Sequence, residues 1–178
     1  QKQFSVNFEK INNSFQRYFK TLFNGGSAKL VLNLQSEEIN ENQTEAEAEL
    51  NKESYKNKSL VAGIEILATP PGKRLNSMTA LSGGEKALTA IALICSIIAT
   101  NPSPFVVLDE VDAALDEANS ERFANIVKEL ADKTQFICIT HNRATMHNAA
   151  LLYGITMGND SVSRLLSVSL EKAEEIAQ

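Results

Sequence analysis

The hexapeptide Phe105-Val106-Val107-Leu108-Asp109-Glu110 places four consecutive apolar residues immediately before two acids. A short apolar run of this kind is typical of a strand covered on both faces, because successive side chains of a strand point to opposite sides of its sheet. A segment with helical periodicity follows, and a second apolar run, Phe136–Ile139, comes next. Strands that alternate with helices form parallel sheets, so this region predicts an α/β fold.

Apolar periodicity assigns the rest of the chain to further helices and strands. Pro70-Pro71-Gly72 and Asn101-Pro102 separate these segments, since proline and glycine interrupt regular structure. A length of 178 residues suggests one domain, with a mostly parallel sheet flanked by helices. The predicted helices are Glu85–Ala99, Ala118–Ala131, Ala144–Ala149 and Leu170–Ala177, and the predicted strands are Ala28–Leu34, Leu60–Ala68, Phe105–Leu108, Phe136–Ile139, Leu152–Met157 and Val162–Val168.

The first 24 residues predict a helix with a regular apolar stripe. Its apolar residues recur at alternating steps of four and three, which fits both a coiled coil and an amphipathic helix packed on its own domain. They are Phe4, Phe8, Ile11, Phe15, Tyr18 and Leu22. Asn24-Gly25-Gly26 ends the helix. Gln1 offers no cap, so we expect the helix to continue a longer one.

An acidic stretch, residues 36–58, lies between the first two predicted strands. Residues 36–53 contain seven Glu and one Lys, so their net charge is −6. The whole chain has a net charge of −5, and the rest of the chain therefore carries a net charge of +1. Such a segment is expected to be a mobile insertion at the tip of a β-hairpin. The acidic total therefore does not exclude a polyanionic partner, for which Lys10, Arg17 and Lys20 are candidate contacts.

Composition excludes several classes of protein. A hydrophobic content of 43% with 22% charged residues is that of an ordinary globular chain and not of a disordered one. No apolar run reaches the ~18 residues of a membrane span, and the longest, Ala87–Ala99, contains Thr89 and Ser96. Cys95 and Cys138 lie in apolar segments and are expected to be reduced core thiols, which is typical of an intracellular protein.

Two strand ends carry residues suited to chemistry. Asp109 and Glu110 follow one buried strand at the carboxyl edge of the sheet, where open α/β sheets bind ligands. Their different directions allow one carboxylate to hold Mg²⁺ and the other to orient or deprotonate a water. His141 follows the second strand at the same edge and can hydrogen-bond a phosphate or a water. Each segment alone also fits a strand that simply ends in polar residues.

The sequence Leu81-Ser82-Gly83-Gly84-Glu85-Lys86 opens the apolar helix. Ser82 can cap the helix, the two glycines allow close approach to the backbone, and the positive helix end favours a phosphate. A glycine-rich turn with an N-cap gives the same pattern, so this motif alone does not establish a binding site. His147 has no polar companions nearby in the sequence and is expected to be structural.

Taken in order, these segments resemble the ATP-binding cassette superfamily. The strings LSGGEKALTAIAL (81–93) and FVVLDEVDAALDEAN (105–119) resemble the C-terminal half of a head domain of an SMC (structural maintenance of chromosomes) protein, of the bacterial chromosome-partitioning type. Pro70-Pro71-Gly72-Lys73 and LYGITM (152–157) are similar to the same type. Transporter cassettes are less similar, because they usually read LSGGQ and have Pro-Thr where this chain has Val111-Asp112.

The resemblance implies a role for each of these residues. Asp109 would be the Walker B ligand of Mg²⁺, Glu110 the catalytic base and His141 the switch histidine. The family often has two basic residues after the histidine, whereas Asn142 precedes Arg143 here, so no role is carried over to position 142.

The remaining motif residues are implied to act between two heads. Ser82, Gly83 and Gly84 would form the signature motif, which contacts the γ-phosphate of ATP held by a second head. Asp116 would be the D-loop acid at the dimer interface.

A phosphate-binding P-loop, G-x-x-x-x-G-K-[ST], is absent from this sequence. Its one Gly-Lys pair, Gly72-Lys73, is followed by Arg74, and Leu67 stands where the first glycine belongs. The resemblance implies that the N-terminal half of the head carries this motif. We therefore expect residues 1–24 to be the end of a returning coiled-coil arm and residues 25–178 to be the C-terminal lobe of a composite ATPase that is inactive on its own.

The resemblance also implies the partners. They are the N-terminal half of the same head, a second head bridged by ATP, a kleisin subunit and DNA, in the cytoplasm at the nucleoid and without a membrane. Two alternatives remain open: the head lobe of a double-strand-break repair ATPase, and a non-catalytic platform for dimerisation or kleisin binding.

Overall fold

The computed structural model describes residues 2–35, 60–74 and 77–169. The predicted acidic insertion, 36–58, and the predicted helix Leu170–Ala177 lie outside these ranges. The helices are α1 (Lys2–Leu22), α2 (Gly83–Thr100), α3 (Glu117–Leu130) and α4 (Arg143–His147), with one 3₁₀ turn at Met78–Ala80. The strands are β1 (Ser27–Gln35), β2 (Leu60–Thr69), β3 (Phe105–Asp109), β4 (Gln135–Ile139), β5 (Leu151–Met157) and β6 (Ser163–Ser169). The α/β class is confirmed.

The described strands form three two-stranded sheets. β3 and β4 pair in parallel, whereas β1 with β2 and β5 with β6 pair antiparallel. The expected mostly parallel sheet is therefore corrected, since parallel pairing in the described ranges is confined to β3 and β4. The connections explain this: α3 supplies the crossover that a parallel pair needs, whereas the short turn 158–162 between β5 and β6 permits only a hairpin.

Within the described residues, the β3–β4 pair is covered on one face only, which corrects the prediction of a strand buried on both faces. Leu108 is buried, and Val106, Phe136 and Cys138 pack beside it against the core. The opposite face carries four large apolar side chains that are between 48% and 60% exposed. They are Phe105, Val107, Ile137 and Ile139, which we call the open face.

The core lies between α1 and α2. Phe15, Tyr18, Phe19 and Leu22 on α1 are at most 2% exposed, and they pack with apolar residues of α2. Phe19 is outside the predicted stripe; it widens the apolar face of α1, as expected for a helix packed on its own domain. Phe4 is 48% exposed, so the first turn of α1 lies outside this core.

Among the described helices, α2 alone is long and apolar enough to cross a membrane by length and composition. It spans 18 residues and thus exceeds the predicted apolar run Ala87–Ala99. Leu88, Ile91, Cys95 and Ile98 on this helix belong to the core. The core helix of a soluble protein passes the same test, so α2 is weak evidence for a membrane span.

A glycine turn fixes α1 against the β1–β2 hairpin. Gly26 has a φ of +73°, and a Cβ atom there would lie 2.5 Å from the carbonyl oxygen of Thr69. The backbone N–H of Leu30 donates to the Oδ1 atom of Asn12 on α1 at 2.9 Å. The hairpin is therefore held in place, and its second strand leads into the loop that contacts the start of α2.

Candidate functional site

Parallel pairing of β3 and β4 brings their carboxyl ends to one edge. Asp109 is in register with Ile139, and the backbone N–H of Glu110 donates to the Ile139 carbonyl at 2.9 Å. Asp109, Glu110 and His141 are all exposed, as a ligand site at this edge requires. Their side chains form no ion pair or hydrogen bond with the described part of the chain. The predicted convergence of the two strand ends is confirmed.

Glu110 has an unusual backbone conformation. Its φ is +48°, in the left-handed region that residues with a Cβ atom rarely adopt. Strain of this kind costs about 1–3 kcal/mol and concentrates at functional sites. The flanking bonds hold it in place: besides the bond to Ile139, the Glu110 carbonyl accepts from the N–H of Ala113 at 3.1 Å. β3 therefore ends at Asp109, and the chain turns at Glu110.

Asp109 fits a magnesium ion that is bound mainly by other groups. Within residues 2–35, 60–74 and 77–169, no three His, Cys, Asp or Glu side chains cluster closely enough to hold a metal ion. Mg²⁺ is commonly held by one or two carboxylates together with waters and substrate phosphates. The single exposed carboxylate of Asp109, which lies on the same side of β3 as Val107, suits that arrangement.

The start of α2 is built by a capping box. Ser82 Oγ accepts from the Glu85 N–H at 3.4 Å, and Glu85 Oε2 accepts from the Ser82 N–H at 2.9 Å. Lys73 Nζ lies 2.6 Å from Glu85 Oε1. The Lys73 ammonium and then the Ser82 N–H hold the pKa of Glu85 below its ordinary value. The predicted N-cap is confirmed, and the loop after β2 is linked to it.

Gly83 and Gly84 are the first two residues of α2. Neither has a positive φ, and a Cβ atom added at either position would meet nothing within 4 Å. In the described part of the fold, neither backbone conformation nor packing therefore requires glycine at these two positions. Open space over two exposed glycines at a helix N-terminus suits the approach of an external group, and a phosphate is favoured there.

Asp116 caps the start of α3. Its Oδ1 accepts from the backbone N–H of Asn119 at 2.7 Å, and its Oδ2 accepts from Asn119 Nδ2 at 3.1 Å. The residue is exposed, but its carboxylate is already used in capping. A turn of five residues separates it from Glu110.

A buried polar cluster near the site was not predicted. Asp112 is only 2% exposed, and its carboxyl group accepts hydrogen bonds from Thr140 and Thr145. Asn142 caps α4 and donates through Nδ2 to Ser120 Oγ at 2.8 Å. The string DEVDAALD offers no pattern that separates a buried acid from exposed ones, so only the tertiary structure identifies Asp112.

Other candidate residues are placed as follows. No hydrogen bond or ion pair between described residues connects Ser82 with Asp109 or His141. Arg17 is an ion-pair partner of Glu129 at 2.6 Å and lies 4.5 Å from the Tyr18 ring centroid. These contacts already occupy Arg17, which weakens its candidacy as a polyanion contact.

The two cysteines behave as core thiols. Both are free, Cys95 is buried and Cys138 is half-buried. Burial raises the pKa of Cys95 to about 12, and burial followed by the nearby Asp112 charge raises that of Cys138. Neither thiol is poised for reaction at neutral pH. His147 is exposed at the end of α4.

Comparison with known proteins gives consistent matches. The profile of the RecF/RecN/SMC N terminal domain matches residues 2–164. The chain is 47% identical over 175 residues to a chromosome partition protein Smc from Methylococcus capsulatus, covering 98% of this chain and 13% of that protein. This chain therefore spans about one eighth of the length of such relatives.

Two solved structures are similar in fold. A crystal structure of the SmcHead bound to the C-winged helix domain of ScpA has a TM-score of 0.77 and 40% identity, over 96% of this chain and 46% of that one. A structure from work on ATP-driven dimerization and DNA stimulated activation of SMC ATPases has a TM-score of 0.73 and 38% identity, over 99% of this chain and 94% of that one.

Proposed function

The chain belongs to the RecF/RecN/SMC N-terminal domain family, and on that premise we propose that it is the C-terminal lobe of an SMC ATPase head. The observation that carries the proposal is the parallel β3–β4 pair, which brings to one edge the two strand ends that carry Asp109, Glu110 and His141, three residues with exposed side chains that have no partners in the described chain. The similar SmcHead chain is about twice as long as the matched region, which supports a lobe of a larger head. The lack of a P-loop motif in the sequence agrees with this.

The open face supports a composite site. Its four apolar side chains lie beside Asp109, and contiguous exposed apolar surface of this kind marks an interaction site. We assign this face to the N-terminal half of the head, which would carry the P-loop. ATP would then lie between the two halves, with its phosphates directed toward the edge of β3 and β4.

The side chains of this edge have separate tasks in hydrolysis. Bound Mg²⁺ supplies neutralisation of charge on the ATP phosphates, and Asp109 would be its protein ligand. Glu110 accepts a proton from the attacking water, and such a base contributes roughly 10²–10⁴-fold in rate. His141 would hydrogen-bond the phosphate or the attacking water. Positioning and electrostatic stabilisation account for most catalysis of phosphoryl transfer, so the fixed geometry of these groups matters more than their reactivity.

The α2 start serves a second head. Ser82, Gly83 and Gly84 would meet the γ-phosphate of ATP held by the partner head, and Asp116 would lie at the same interface. Each head alone supplies half of the contacts, so ATP joins the heads and hydrolysis releases them. This cycle would drive chromosome condensation and segregation on DNA in the cytoplasm. A kleisin subunit is the expected further partner, since a similar SmcHead is bound to ScpA.

The proposal is tested by completing the head. The chain is combined with the N-terminal head half of a chromosome partition protein Smc, and ATP turnover is measured with and without DNA. We expect turnover from the combination and essentially none from either part. Turnover by this chain alone would contradict the proposal.

Two variants separate hydrolysis from engagement of the heads. Glu110→Gln should retain ATP-dependent dimers in sedimentation while phosphate release falls by at least about 10²-fold. Ser82→Arg should retain ATP binding but lose the dimer. Dimerisation without hydrolysis in the unmodified head would favour the non-catalytic platform instead.

A further inference from the structure

We propose that Asp112 is a positioning residue for His141, because its buried carboxyl group ties the loop that carries the histidine to the turn that begins at Glu110. This inference rests on the proposed function and extends it to a residue that contacts neither water nor phosphate. Asp112 is 2% exposed, so it has no route of its own to a ligand.

Hydroxyl groups of two threonines hold the Asp112 side chain. Thr140 Oγ1 donates to Oδ1 at 2.9 Å and to Oδ2 at 2.8 Å, and Thr145 Oγ1 also donates to Oδ2. Thr145 is itself buried. A buried polar group is costly unless it is hydrogen-bonded, so this carboxyl group and its two donors form a unit that tolerates little displacement.

The unit encloses His141 on both sides in the sequence. Thr140 precedes the histidine, and the backbone N–H of Asn142, which follows it, donates to Thr140 Oγ1 at 2.9 Å. Asn142 is fixed again by its bond to Ser120, a fully buried residue of α3. The imidazole stays exposed while the backbone that carries it is held, as a group that must meet a ligand in one orientation requires.

The other end of the unit is the turn after β3. The carbonyl of Glu110 accepts from Ala113, and the carbonyl of Asp112 accepts from Leu115, both at 3.1 Å. Asp112 is thus built into the turn that imposes the left-handed conformation on Glu110. Through its bonds to the threonines, the Asp112 carboxyl group therefore ties the loop that carries His141 to this turn.

The first test measures ATP turnover in the completed head. Asp112→Asn preserves shape but replaces one acceptor oxygen with a donor, and we expect kcat to fall about tenfold with the KM for ATP changed less than about twofold. Thr140→Val should act in the same direction, while Thr140→Ser, which keeps the hydroxyl, should restore most of kcat. Asp132→Asn, which changes an exposed acid just after α3, is the matched control.

A double-mutant cycle separates positioning from simple support of the fold. In a His141→Ala background, Asp112→Asn should lower kcat by less than about twofold, because its effect acts through the histidine. A tenfold loss in both backgrounds would overturn the proposal, and so would wild-type kcat in Asp112→Asn itself.

The second test needs no turnover. Amide hydrogen exchange of the completed head without nucleotide should show exchange at Asn142 about tenfold faster in Asp112→Asn, with the amides of α2 unchanged. If the unmodified head does not hydrolyse ATP, the proposed function fails. Hydrogen exchange alone then decides whether Asp112 holds the loop that carries His141. Faster exchange then supports Asp112 as the group that holds the His141 loop, and unchanged exchange overturns it.

Discussion

The left-handed conformation of Glu110 yields a prediction in which the usual ranking of alanine and glycine is reversed. Glycine is ordinarily less favourable than alanine by about 0.5–1 kcal/mol, because it loses more backbone freedom on folding. At a φ of +48° the order should change, since any residue with a Cβ atom is strained there. We therefore expect Glu110→Gly to be more stable than Glu110→Ala.

The magnitude follows from two opposing terms. A left-handed residue with a Cβ atom is disfavoured by roughly 1–2 kcal/mol, and the extra backbone entropy of glycine offsets about 0.5–1 kcal/mol of that. The glycine variant should thus have a free energy of unfolding about 0.5–1 kcal/mol above that of the alanine variant. For a chain of this length, the difference corresponds to roughly 2 °C in Tm.

The assay is thermal and urea unfolding of both variants, followed by circular dichroism. Ala113→Gly is the matched control, because Ala113 is exposed in the same turn and has no positive φ; it should destabilise by about 0.5–1 kcal/mol. Both variants at position 110 lack the base and should not support turnover in the completed head. If Glu110→Gly were the less stable of the two, the assigned strain would be refuted.

Three further predictions concern the core, the α2 start and the open face. Phe19→Ala should lower the free energy of unfolding by about 3–5 kcal/mol, against less than about 1 kcal/mol for the half-exposed Phe4→Ala; similar losses in urea unfolding would contradict the core assignment. Lys73 lowers the pKa of Glu85 below its ordinary value of 4.5. The ion pair therefore stabilises the folded state above pH 4.5, and this stabilisation is lost as the pH falls through the folded-state pKa of Glu85. Glu85→Gln should therefore lower the free energy of unfolding by about 0.5–1 kcal/mol at pH 7 and by less when urea unfolding is repeated at successively lower pH. A loss that does not change with pH would argue against the ion pair. Val107→Lys should weaken calorimetric binding to the N-terminal head half at least about tenfold, and unchanged affinity would remove the open face from that interface.

Local patterns were sufficient to predict the elements of the described chain and the convergence at the sheet edge. Ser82 was predicted to cap α2 and does so, whereas the capping of α3 by Asp116 was not predicted; each cap accepts from a backbone N–H three residues further along. Apolar runs bounded by polar residues located β3 and β4, and parallel pairing then requires their carboxyl ends to coincide. These features depend on the chain only over short distances.

Features that depend on distant segments were not predictable. Arg17 was a candidate contact for a polyanion, but Glu129, more than a hundred residues away in the sequence, is its partner. Asp112 is indistinguishable in sequence from exposed acids, and only the approach of Thr140 and Thr145 buries it. The apolar run of β3 predicted two covered faces because composition records how apolar a strand is and not which segment covers it.

Residues 105–112 combine three departures from ordinary folding rules. This stretch contains apolar side chains left exposed, a left-handed residue that bears a Cβ atom, and a buried carboxyl group held by hydroxyls. In the α1–α2 core, apolar faces of the two helices pack together and Ser82 caps the start of α2, as the rules of helix packing and capping lead one to expect. Conflicts between local preference and structure are expected at functional sites, so their combination in this stretch agrees with the proposed site. A sequence chosen for the stability of this lobe alone would place a polar residue at position 107, glycine at 110 and an apolar residue at 112, and each change would remove one part of the proposed site.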